Sequence, residues 1–160
     1  MSYANRGKWL ESVITHVNQI YEMNNKAIIR KVPTDINYNT RTGKAFFKAK
    51  GMVDFVGISN GKMIAFDAKN TKGKSIPFNN IQPHQVDYLQ KIKAHGGAAF
   101  LLIYFERYQE LYALDIDEYV GLEETLDRKS IPYSYFENID PVQSRKGIAF
   151  DYLEVLDVFT

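Results

Sequence analysis

Leu10, Val13, Ile14, Val17 and Ile20 recur at helical spacing between Lys8 and Tyr21, with Trp9 and Tyr21 flanking that stripe. The pattern predicts an amphipathic helix over residues 8–21, ended by Asn24-Asn25. Ala27-Ile28-Ile29 predicts a short strand, closed by Pro33. Two runs, Met52 to Ile58 and Met63 to Lys69, predict paired strands, because Ser59-Asn60-Gly61-Lys62 between them has the Asn-Gly chemistry of tight hairpins. Pro83 opens a second helix to about His95, with Val86, Leu89 and Ile92 on its apolar side and Gly96-Gly97 as its stop. The unbroken apolar run Ala98 to Phe105 predicts a central buried strand. A shorter strand (Glu110 to Leu114) and a helix (Ile116 to Leu126) follow. Residues 131–136 and 150–158 fit either an edge strand or a short helix. Residues 70–81 predict a polar loop. The order α-β-(loop)-β-β-α-β-β-α predicts an α/β fold with a mixed central sheet flanked by helices, in one domain over 1–160.

Residues 34–50 break the pattern. They are polar, basic and weakly periodic, and predict a protruding stalk, either a loop or a hairpin. Seven basic residues and one acid, Asp35, lie between Lys26 and Lys50. The net charge of +1 hides the same bias on a larger scale. Residues 1–105 hold 15 Lys+Arg and 6 Asp+Glu, whereas residues 106–160 hold 5 and 13. A basic front with an acidic rear points to a polyanion-binding face, unless the fold mixes the charges again.

Composition narrows the chemistry. The chain has no cysteine, which excludes disulfides and thiolate metal sites and fits a reducing cytoplasm. The first residues, Met1 to Arg6, lack an apolar signal core, and the run Gly96 to Phe105 is about half a bilayer span. A cytoplasmic protein without membrane attachment is expected.

Asp54 and Asp67 fall on the two hairpin strands, 13 residues apart. Asp67 and Lys69, at i and i+2, point to one face of a strand. The apolar stretch Met63 to Phe66 precedes them, so the charged pair sits at the end of a buried strand and needs partners. Two aspartates, a lysine and a divalent cation would satisfy one another. An ordinary hairpin with a surface aspartate and a salt bridge would share this short pattern. The functional alternative resembles the Asp-X(n)-Asp/Glu-X-Lys signature of the PD-(D/E)XK nucleases. Its logic is a hard cation on carboxylate oxygens, with a lysine beside the attacked phosphate. Glu11 on the first helix, Gln85 at the start of the second, and Lys72 and Lys74 in the polar loop over 70–81 lie where such sites are completed.

The ordered set Asn5-Arg6-Gly7 with Glu11, Pro33-Thr34, Ala45-Phe46-Phe47-Lys48, Asp54, Phe66-Asp67-Ala68-Lys69, Lys72 and His84-Gln85 resembles the RecU family of Holliday junction resolvases. The likeness covers roughly residues 5–115, and more loosely Phe150 to Leu153. It implies a restriction-endonuclease-like fold and a homodimer that nicks four-way DNA junctions symmetrically with Mg²⁺, or Mn²⁺ in its place. It further implies Glu11, Asp54, Asp67 and the Ala68 carbonyl as metal ligands, with Lys69 and Gln85 as catalytic partners. Residues 34–50 become the family's stalk, and Arg6, Arg41, Lys44, Phe46, Lys48, Lys72 and Lys74 the expected DNA contacts. The family usually has Glu where Asp67 stands and polar threonines where Met52-Val53 stand, and its stalk is longer. The compact chain suggests a bacterial or phage-encoded version. Two other functions share these residues: a nuclease for linear or flapped DNA, and a branched-DNA binder without catalysis. His16, His84 and His95 are not at metal-ligand spacing.

Overall fold

Helix α1 (Tyr3–Met23) begins where Ser2 caps it, the Ser2 hydroxyl accepting from Asn5 N–H at 3.3 Å. The computed structural model describes residues 2–33, 36–47 and 52–159, with the backbone alone for residues 3, 4, 36–38, 46, 47 and 157–159. Strands β1 (Ile28–Lys31), β2 (Ile36–Asn39), β3 (Lys44–Phe47), β4 (Phe55–Ser59) and β5 (Lys62–Thr71) follow. After them come β6 (Ser75–Pro77), α2 (Pro83–Ala94), β7 (Ala98–Phe105), β8 (Glu110–Asp115), α3 (Ile116–Thr125), β9 (Ser130–Pro132) and α4 (Tyr133–Phe136).

Five strands form a mixed sheet in the order β1-β4-β5-β7-β8. Among the described residues only β5 and β7 pair in parallel, with α2 as the crossover. Strand alternation sends the two sides of β5 into two cores. Leu10, Ile14, Val17 and Tyr21 of α1 pack with Phe55, Phe66 and Ala68 on one face. Ala65 of β5 joins Leu89 of α2, Leu101, Ile103 and Tyr119 on the other. Phe55, Phe66 and Phe100 stack across three neighbouring strands at 5.0 and 4.9 Å between centroids. Every residue of β7 is buried, in keeping with its unbroken apolar sequence.

Residues 36–47 form a two-stranded hairpin, Ile36 opposite Phe47, outside the main sheet. The expected polar loop over 70–81 is more ordered than its composition suggests. β5 runs on to Thr71, β6 pairs antiparallel with β9, and Phe78–Asn80 make a 3-10 turn. The reason is burial of Ile76, Phe78 and Ile81, which are scattered among polar neighbours. Of the two alternatives for the C-terminal stretch, the short helix holds, as a 3-10 helix. Tyr152–Phe159 is 3-10 and docks on α1, where Tyr21 Oη donates to Asp151 Oδ1 at 2.7 Å and Tyr152 Oη to Asn18 Oδ1 at 2.5 Å. Burial and the Asp151 carboxylate push the Tyr21 hydroxyl far above the usual phenol range, so it stays protonated as a donor. Among the described residues no helix is long and apolar enough to cross a membrane.

Candidate active site

The turn of the β4–β5 hairpin decides where the two aspartates meet. Asn60 and Gly61 both have positive φ, 50° and 77°, as a two-residue primed turn requires. That turn pairs Ser59 with Lys62, and the register then runs residue by residue to Phe55 opposite Phe66. The next pair along is Asp54 and Asp67. An odd interval of 13 closed by a two-residue turn therefore sets these side chains directly across from each other, on one face of the sheet. On the far side of β4, a methyl group at Gly57 would come within 2.1 Å of the Ile28 carbonyl oxygen, so only glycine lets β1 approach this closely.

Two hydrogen bonds hold the acids together. Asp54 N–H donates to Asp67 Oδ1 at 3.1 Å, and Ala68 N–H donates to Asp54 Oδ2 at 2.9 Å. Asp67 is fully buried. Its Oδ2 lies 2.6 Å from Lys69 Nζ, yet accepts no hydrogen bond of regular geometry. Burial first, and the Asp67 charge second, push the Asp54 carboxyl up to about 7, against the opposing pull of the Ala68 N–H and the Lys69 ammonium. Negative charge in this corner thus exceeds what one ammonium balances. A hard divalent cation taken by carboxylate oxygens fits that deficit.

The remaining expected residues separate. Glu11 belongs to α1, which covers the other face of the sheet from Asp67, and its carboxylate is bound to Lys31 Nζ of β1 at 2.7 Å. Lys31 lies opposite Phe55 in the β1–β4 register, one residue from Asp54 along the chain, so Glu11 is held near the same end of the sheet. Among the described residues no three acidic or histidine side chains are grouped to hold a metal. The Gln85 side chain caps α2, its Oε1 accepting from Gln82 N–H at 3.0 Å in a capping box. Arg6 is drawn to Glu106, with Nε 3.7 Å from Oε1, while its carbonyl accepts from the Asn70 amide at 3.5 Å. Lys72 and Lys74 are exposed at the β5–β6 turn. Arg41 and Lys44 are exposed at the tip of the β2–β3 hairpin, which Asn39 Oδ1 organises by accepting from Arg41 and Thr42 N–H. Phe46 is described in backbone only, and Lys48 lies outside the described residues.

Sequence reasoning did not find Lys31 or the Ala68 N–H. Strand alternation, which puts Lys31 on the same face of β1 as the apolar Ile29, was the available signal for Lys31. No residue-type signal exists for a backbone donor.

The model of the family described as "Recombination protein U" matches residues 5–158. The chain belongs to the RecU family. Curated RecU relatives include the Holliday junction resolvase RecU of Oceanobacillus iheyensis, 36% identical over 97% of this chain and 86% of the relative. That of Shouchella clausii is 35% identical over 98% of this chain and 81% of the relative. The RecU match thus extends through the C-terminal third, beyond the 5–115 span where the sequence likeness is plain. Among solved structures, Archaeoglobus fulgidus Hjc, a Holliday junction resolvase from an archaeal hyperthermophile, superposes with a TM-score of 0.50 at 14% identity, covering 82% of this chain and 92% of that one. This last likeness concerns the fold alone.

Proposed function

We propose that the protein resolves four-way DNA junctions as a metal-dependent endonuclease, acting as a homodimer that nicks two strands symmetrically. The observation that carries the reading is the pairing of Asp54 with the fully buried Asp67 beside Lys69, in a chain of the RecU family. A protein that only bound DNA would gain nothing from two carboxylates next to a phosphate.

Asp54 and Asp67, with the Ala68 carbonyl, would hold Mg²⁺, or Mn²⁺ in its place. When bound, the cation supplies Lewis-acid polarisation of a phosphoryl oxygen and lowers the pKa of water. Lys69 would orient the attacking water and offset the charge that builds on the phosphate, a role open to it once the cation takes over neutralisation of Asp67. Glu11 would reach the metal only by leaving Lys31, and Gln85 would reach the phosphate only by leaving the cap of α2. Arg41 and Lys44 would meet DNA from the stalk, and Arg6, Lys72 and Lys74 from the site's edge.

The test is cleavage of a four-way junction and a linear duplex of equal length, in Mg²⁺ and in EDTA. The expected result is paired nicks in the junction only with Mg²⁺. Equal cutting of both substrates would favour a nuclease for linear or flapped DNA. Binding without cutting would favour a non-catalytic junction binder.

A further inference from the structure

We infer that Arg128 and Lys129, one of two adjacent basic pairs in the acidic C-terminal third, form a second phosphate-binding site, reached by a DNA strand that leaves Asp54 and Asp67 across the N-terminus of α2. The inference rests on the nuclease reading above.

Two open cavities meet at Pro83, the first residue of α2. One, of about 570 Å³, is lined by Met52, His84, Tyr88 and Lys91, and so starts two residues before Asp54. The other, of about 630 Å³, is lined by Phe78, Gln82, Arg128 and Lys129. Together they make a surface path from Met52, close along the chain to Asp54, to the basic pair.

The charges at the far end of this path are available, whereas Lys91 in the first cavity is held by Asp87 at 2.9 Å. Arg128 Nη2 donates to Ser130 Oγ at 3.2 Å, and among the described residues neither Arg128 nor Lys129 has an ion-pair partner. Arg145, from the same third of the chain, is by contrast already bound to Glu154 at 3.1 Å. The position of the pair is fixed by backbone. Phe78 N–H donates to Lys129 O at 3.0 Å at one end of the β6–β9 ladder, and Tyr133 N–H donates to Lys74 O at 2.8 Å at the other. The small sheet therefore holds exposed Lys74 and Lys129 at a set spacing, a rigid arrangement suited to sequence-independent contact with a phosphate backbone. Glu123 also lines the second cavity and opposes such a contact.

The experiment measures junction affinity against salt in EDTA for the wild type, R128Q/K129Q and E123K. Each phosphate contact adds roughly 0.9 to the slope of log affinity against log salt, so losing two should flatten it by about 1.8. Between 50 and 200 mM salt the wild type should therefore lose about tenfold more affinity than R128Q/K129Q. E123K should bind more tightly with a steeper slope, an outcome no folding defect produces. Wild-type slopes in both variants, with wild-type melting, overturn the inference. Failure of the wild type to bind or cut the junction would instead overturn the reading beneath it.

Discussion

Two carboxylates set opposite each other on neighbouring strands repel, and here burial raises the cost. The Asp54 carboxyl, lifted from 3.8 to about 7, records that cost as a titration. In the metal-free protein the folded state holds this proton more tightly than the unfolded chain. The associated stability is therefore complete below about pH 4 and is lost as pH rises through 7. The amide introduced by Asp54→Asn would keep the acceptor for Ala68 N–H and could donate to Asp67. In EDTA, Asp54→Asn should thus melt like the wild type near pH 4 and be more stable by roughly 4 kcal/mol at pH 8. A wild type that melts no lower than the variant at pH 8 would contradict this. Much of the site was legible at this scale, because an interval of 13 and a two-residue turn suffice to place Asp54 across from Asp67, and i, i+2 spacing suffices for Lys69. Glu11 and Gln85 were not legible in the same way. Their side-chain partners, Lys31 and the Gln82 N–H, depend on how a helix is rotated against a distant strand and on a local cap.

At the scale of elements, the β4–β5 hairpin transmits its turn geometry to the site. Gly61 at φ 77° has no penalty for a left-handed conformation, whereas a β-branched residue does. Gly61→Val should cost about 1–2 kcal/mol, lower the melting temperature by several degrees, and reduce metal affinity through the disturbed register. Unchanged thermal unfolding would show that the turn does not fix the pairing. The long periodic elements were readable: α1 from its stripe of Leu10, Ile14 and Val17, and β7 from its unbroken apolar run. β6, β9 and the 3-10 segment Tyr152–Phe159 were not. Each is three to eight residues long, and each exists because of partners far along the chain, such as Ile131 opposite Ile76 or Tyr21 against Asp151. Local pattern holds no record of those partners.

For the molecule as a whole, the bias of basic residues towards 1–105 places cations on the β2–β3 hairpin, which lies between β1 and β4 along the chain, and on the β5–β6 turn. Among the described residues the hairpin shares no strand pairing with the main sheet, so its replacement should leave the core closed. Exchanging residues 36–47 for a short Gly-Ser link should preserve melting and divalent-ion binding, and should reduce the preference for a four-way junction over duplex by tenfold or more, roughly the loss of two to three phosphate contacts. Undiminished preference would remove the stalk from junction recognition. The central claim is narrower: Asp54 and Asp67 act as one cation site. Electron paramagnetic resonance of Mn²⁺ titrated into the wild type, Asp54→Asn and Asp67→Asn at pH 8 tests it most directly. The account predicts that the wild type removes free Mn²⁺ signal and that neither variant does, while both still bind junction DNA in EDTA. Mn²⁺ uptake by both variants equal to that of the wild type would contradict it.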